Sequence, residues 1–115
     1  MQLYFRRSTT WGKALYVYAY NNSQNTEISS WPGELIRVYD EDENIYYGIF
    51  YCEYFDLKGT HVVFSDGTNQ APEPFEEGYI NKEHGLFTEK GLESICHYKE
   101  VSPDKYIRTL VCDKI

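Results

Sequence analysis

Nowhere in the 115 residues do apolar side chains run for the roughly 20 positions that a membrane-spanning helix needs. The opening Met1-Gln2-Leu3-Tyr4-Phe5-Arg6-Arg7 alternates like a strand and lacks the apolar stretch of a signal peptide, so no export signal is expected here. Basic charge is scarce as well: 11 Lys and Arg stand against 18 Asp and Glu, a net charge of −7. Affinity for a phosphate backbone comes from clustered Lys and Arg that displace counterions, so nucleic acid is not an expected partner. Cysteine is limited to Cys52, Cys96 and Cys112, which cannot all pair within one molecule. They read as buried or edge thiols that behave as small hydrophobes, or as a Cys96–Cys112 disulfide if the last two strands are neighbours. No CxxC or HxxxH spacing occurs, and Cys96-His97 is the one adjacent pair of strong ligand types, so neither metal nor cofactor is expected. The acidic run Asp40-Glu41-Asp42-Glu43-Asn44 lacks the glycine and ligand spacing of a calcium loop and reads as a solvated hairpin turn.

Catalytic residues are missing in the same sense. Acidic residues are numerous enough to form accidental pairs, but a glycosidase also needs a cleft that holds two carboxylates apart across a sugar. His61, His84 and His97 lie far from one another in sequence, and no motif marks Ser65 or Cys96 as an activated nucleophile. The chain is expected not to be an enzyme.

What is abundant is aromatic surface. Aromatics make up 17% of the residues, with 12 Tyr, 6 Phe and 2 Trp. From Ala14 to Tyr20 the chain reads Ala-Leu-Tyr-Val-Tyr-Ala-Tyr. In a strand this places Leu15, Val17 and Ala19 on one face and Tyr16, Tyr18 and Tyr20 on the other. The aliphatic face is the natural core face, which leaves a file of tyrosines whose position burial alone does not explain. Asn21 to Ser30 is a polar loop, and Trp31-Pro32-Gly33 is a turn that carries a large ring.

Further strands are predicted at Leu3–Phe5, Glu34–Tyr39, Ile45–Phe55 with a bulge near Cys52, His61–Ser65, Gly78–Ile80 and Leu86–Thr88. Cys96–Val101 and Lys105–Cys112 complete the set as a terminal hairpin. The segment with Pro72 and Pro74 cannot be a central strand, because proline lacks the ladder donor. This spacing of short strands and turns predicts an all-β fold, an antiparallel β-sandwich with an immunoglobulin-like outline, in a single domain over residues 1–115.

Tyr18, Tyr20 and Trp31 are the strongest constellation. An aromatic face covers the C–H patch of a pyranose while leaving its hydroxyls to polar partners, and two rings set at an angle suit the curved backbone of an α-1,4-glucan. Alternatively, the tyrosines pack under a loop and Trp31 plugs one end of the sandwich. Four segments then resemble the family 26 carbohydrate-binding modules, the starch-binding domains of bacterial amylases and related cell-surface proteins. They are Tyr-Val-Tyr-Ala-Tyr-Asn at 16–21, Trp-Pro-Gly at 31–33, Ile-Tyr-Tyr at 45–47 and Val-Val-Phe-Ser-Asp-Gly-Thr-Asn-Gln at 62–70, with Trp11-Gly12 matching the usual opening. The resemblance covers roughly residues 3–90 and leaves the tail 91–115 unmatched. It implies that Tyr20 and Trp31 stack on sugar, that Tyr18 hydrogen-bonds hydroxyls and that Gln70 adds a polar contact. It also implies an α-glucan ligand (starch, glycogen or maltooligosaccharides) and a parent protein at the cell surface or outside the cell, such as an amylase or surface scaffold. A rival reading is an immunoglobulin-like protein-interaction module. The amide-rich loop Asn21-Asn22-Ser23-Gln24-Asn25-Thr26 favours sugar, since a protein hot spot would be crowded by apolar side chains instead.

Overall fold

The computed structural model describes residues 2–22, 25–49, 59–102, 104 and 107–115. The strands in chain order are β1 (Gln2–Arg6), β2 (Leu15–Asn21), β3 (Thr26–Glu27), β4 (Glu34–Asp40), β5 (Ile45–Ile49), β6 (His61–Ser65), β7 (Gln70–Ala71), β8 (Tyr79–Ile80), β9 (Gly85–Thr88), β10 (Gly91–Ser102) and β11 (Ile107–Lys114). They are hydrogen-bonded in the order β11-β10-β9-β1-β5-β4-β2-β6-β7, with β3 on β2 and β8 on β6.

β4 turns this path into two layers. Its first half pairs with β2, from Ile36 opposite Leu15 to Glu34 opposite Val17. Its second half pairs with β5, Arg37 opposite Tyr47 and Val38 opposite Tyr46, with an irregularity before Asp40. The acidic run does form the β4–β5 hairpin turn: Asn44 donates its N–H to the Glu41 carbonyl, and the Asp40 side chain accepts from the Glu43 N–H.

The core lies between the layers. Leu15, Val17 and Ala19 are almost completely buried, as the alternation in β2 requires, and Phe5 of β1 stacks on Phe64 of β6 with ring centroids 4.5 Å apart. Trp11 packs its ring on Phe5 at 5.4 Å and closes one margin of this core. A second, smaller core forms on the other face of β1 from Tyr4, Ile45, Leu86 and Cys96. Leu3, Tyr4 and Phe5 are therefore all buried, because β1 has packed material on both faces. The second core also absorbs part of the tyrosine excess, since Tyr39 meets Tyr4, Tyr47 and Tyr98 in edge-on or tilted contacts.

The all-β sandwich prediction holds, with one correction to the antiparallel expectation. β1 and β9 run parallel, Tyr4 beside Leu86 and Phe5 beside Phe87. β1 already has β5 antiparallel on its other edge. β9 thus fills the remaining edge and brings Phe87 into the core against Phe64. The terminal hairpin is longer than predicted, and its register sets Cys96 directly opposite Cys112. These two cysteines form a disulfide, so the thiol reading does not apply to them. Cys52, and the part of the predicted Ile45–Phe55 strand beyond Ile49, lie outside the described residues.

Candidate functional site

The tyrosine face of β2 is where the molecule departs from simple core packing. Tyr16, Tyr18 and Tyr20 are each half-buried on the side opposite Val17 and Ala19. The register of β2 with β6 places Val63 across from Tyr18 and His61 across from Tyr20. On its other edge β2 pairs with β4 at its beginning and with β3 at its end, Tyr20 opposite Glu27. The chain between β3 and β4 passes over the gap, held at one end by the Ile28 N–H on the Ala19 carbonyl.

That crossing segment carries Trp31. The turn is closed by the Gly33 N–H on the Ser30 carbonyl at 2.8 Å, and the Trp31–Pro32 peptide is cis. Gly33 has φ +99, and a Cβ there would lie 2.1 Å from the Val17 carbonyl oxygen, so only glycine lets the turn press this closely on β2. The turn presents the indole to solvent: Trp31 is 53% exposed, whereas Trp11 is 7% exposed. The alternative in which Trp31 plugs the sandwich belongs instead to Trp11.

Trp31, Tyr18 and Tyr20 are brought together with Tyr18 in the middle. The Trp31 and Tyr18 rings are 5.5 Å apart at 70°, and the Tyr18 and Tyr20 rings are 5.7 Å apart at 28°. The file then continues to a residue that sequence reasoning did not place here. His61 lies against the Tyr20 ring at 5.6 Å and 20°, with its Nε2 3.0 Å from Glu77 Oε1. Only the β2–β6 register could have revealed it, and local sequence does not encode that pairing.

The phenols already have partners. Tyr18 donates its hydroxyl to Glu27 Oε2 in a short hydrogen bond. That bond, with lesser help from burial and the nearby charge, raises the Tyr18 pKa from 10.0 to about 12. The proton being committed to Glu27, Tyr18 can accept from an incoming hydroxyl but cannot donate to it. Tyr20 is the converse: its oxygen accepts the Gly78 N–H at 2.9 Å and its own proton remains to be given. Beside these rings a shallow hollow is bordered by Asn21, Asn22, Asn25, Thr26 and Glu27. Gln70 lies apart from it. Its register with Ser65, which faces Tyr16, sets it on the tyrosine face two strands away, where it borders another hollow with Thr10, Trp11 and Asn69.

Among the described residues, no group of three or more His, Cys, Asp or Glu could hold a metal ion, and no helix is long and apolar enough to cross a membrane.

Comparison with known proteins gives this aromatic face its context. The family model described as starch-binding module 26 matches residues 3–76, more than half of the chain. The chain belongs to that family. Two solved structures of module 26 from Bacillus halodurans amylase are similar at 25% sequence identity. One has a TM-score of 0.57, covering 76% of this chain and 84% of that one. The other, a complex with maltose, has a TM-score of 0.60 and covers 76% and 89%. No curated protein matches the chain. Within module 26 as this chain builds it, Tyr18, Tyr20 and Trp31 all fall inside the matched residues, as do His61 and Gln70. Strands β8 to β11 lie beyond them.

Proposed function

We propose that this chain binds starch and maltooligosaccharides on the Trp31–Tyr18–Tyr20 file and does not turn them over. The observation that carries the reading is the angled, solvent-facing pair of Trp31 and Tyr18 with Tyr20 beside it, bordered by amides and a carboxylate rather than by apolar side chains. Tyr18 is inclined 70° to Trp31 and 28° to Tyr20, so Trp31 and Tyr20 are set at a wide angle to each other, which suits a chain that curves, as α-1,4-glucan does, better than a flat ribbon. In this reading Trp31 and Tyr20 stack on sugar, and the Tyr18 oxygen accepts a hydroxyl proton while its own proton stays on Glu27. Gln70 adds a polar contact at the Tyr16 end of the face. The membership in starch-binding module 26 and the likeness to a maltose complex support the same ligand class.

Affinity should be modest, micromolar to millimolar, because two stacked rings and a few exposed hydrogen bonds yield about 4 to 8 kcal/mol. The immunoglobulin-like outline and a parent protein that is secreted or held at the cell surface, with an amylase attached, belong to the same proposal. Retention on insoluble starch against cellulose and xylan tests it. Retention on starch alone is the expected result. Equal retention on cellulose would remove the α-glucan assignment.

A further inference from the structure

Beyond Tyr20 and His61 the face runs into the segment between β7 and β8, and this segment holds the most exposed aromatic side chain described. Phe75 is wholly solvent-exposed. Its backbone has φ +71, a conformation that L side chains rarely adopt and that a bulky one adopts least readily. A solitary exposed apolar residue needs no explanation. One displayed at a turn apex in an unfavourable backbone conformation points to a purpose for the display.

The loop around Phe75 is tied to the aromatic file at more than one point. The Glu76 N–H closes the turn on the Glu73 carbonyl at 3.1 Å. Glu77 reaches His61, and the Gly78 N–H donates to the Tyr20 hydroxyl. Gly78 itself packs so closely that a Cβ there would lie 3.2 Å from the Tyr20 ring. Only Glu76 and Glu77 lie between Phe75 and Gly78, which limits their Cα atoms to about 10 Å. Trp31 stands at the opposite end, beyond Tyr18. Phe75 is therefore an extra apolar face beside the end of the file that Trp31 does not occupy. Glu73, Glu76 and Glu77 next to it supply carboxylates that can accept sugar hydroxyls.

We propose that Phe75 and its loop form a further glucan contact that engages chains too long for the Trp31–Tyr18–Tyr20 file alone and so raises affinity with chain length. The inference rests on the α-glucan reading above, and the ligand is the same polymer extended past Tyr20. The acidic flank makes a phosphorylated or otherwise anionic ligand a poor fit, because three carboxylates would repel it.

Titration of maltose and of maltoheptaose into the full chain and its Phe75→Ala and Phe75→Trp variants tests the proposal. Wild type should bind maltoheptaose more tightly than maltose. Phe75→Ala should lose about fivefold or more for maltoheptaose while changing maltose by less than twofold, an effect of the size expected for one aromatic–ligand contact. Phe75→Trp should restore the long-chain affinity. Because the side chain touches nothing in the fold, the melting temperature of both variants should stay at the wild-type value. If wild type binds both sugars and Phe75→Ala leaves maltoheptaose binding unchanged, the loop contact is wrong and the Trp31 file stands. An equal loss for both sugars would likewise overturn the extension and place Phe75 in the principal site. If wild type binds neither sugar, the α-glucan reading and the extension fall together.

Discussion

Asp66 Oδ2 accepts the backbone N–H of Gly12 at 2.7 Å, joining two segments 54 residues apart in sequence. The same carboxylate also takes the backbone N–H groups of Thr68 and Asn69 on Oδ1 and the Asn69 side-chain amide on Oδ2. Burial pushes the Asp66 pKa up, but the hydrogen bonds from Asn69, Gly12 and Thr68 outweigh it and hold the group far below the usual carboxylate range. Both oxygens face donors only, so Asp66→Asn must turn an NH2 toward one of those pairs. The substitution should cost about 1.5 to 3 kcal/mol, the range for a hydrogen bond to a charged group, read as a lower melting temperature at neutral pH. A carboxylate with a depressed native pKa contributes stability that is complete above its unfolded value near 4 and is lost as pH falls below that. The melting temperature of wild type should therefore drop more steeply than that of the variant between pH 4 and the strongly acidic range. Parallel curves would show that Asp66 is not the group responsible.

The two tryptophans should separate binding from stability. Trp31→Ala removes an exposed ring and is expected to reduce starch affinity at least tenfold, about 2 kcal/mol as for hot-spot aromatics, with the melting temperature unchanged. Trp11→Ala empties a buried site against Phe5 and should cost about 3 to 5 kcal/mol of stability. Calorimetric melts and maltooligosaccharide titrations on both variants make the comparison. A destabilised Trp31→Ala that retains full affinity would move that ring into the core.

Tyr18 offers a spectroscopic check on the Glu27 contact. Its ionisation, isolated as the ultraviolet difference between wild type and Tyr18→Phe, should be centred near pH 12. Glu27→Gln removes the charged acceptor and should bring the midpoint back toward the ordinary tyrosine value of about 10. Because the folded value is the raised one, the contact stabilises the fold fully below pH 10 and is lost as pH climbs toward 12. An unmoved midpoint in Glu27→Gln would leave the Tyr18 proton without its assigned partner.

Replacing both Cys96 and Cys112 by alanine opens a loop with a sequence separation of 16 residues. On the chain-entropy account this costs about 3 kcal/mol. The hairpin packs against the second core rather than the tyrosine face. Maltooligosaccharide affinity should accordingly stay within twofold of wild type while the denaturation midpoint falls.

Local pattern decided much of this in advance. The alternation of β2 admits a single assignment of faces, and Pro32-Gly33 after Trp31 announced a ring carried on a turn. Two-residue strands such as β3 and β7 left no trace, because so short a pairing is set by the neighbour and not by propensity, although β8 does fall within the strand expected at Gly78–Ile80. The burial of three consecutive residues in β1 was equally hidden, since it depends on a second core to which β9–β11 bring Leu86, Cys96 and Leu110 from far along the chain. Of the site, Tyr18, Tyr20 and Trp31 were legible as types at a spacing. His61 was not, because its place against Tyr20 comes from strand register. The place of Gln70 was hidden too, because a motif position says nothing of the β6 strand that stands between it and Tyr16.

The parallel pairing of β1 with β9 bears on how the molecule comes into being. Tyr4 and Phe5 are made 82 residues (86 − 4 and 87 − 5) before Leu86 and Phe87, their neighbours in the finished sheet. Closing so long a loop is entropically expensive and is rewarded only when both cores seal, which places this chain among the slower, high-contact-order folders. During synthesis the aromatic file can be complete in sequence well before anything holds it rigid. Sugar recognition should therefore emerge in a single late step together with the fold, and a nascent chain that ends before β9 should show none of it.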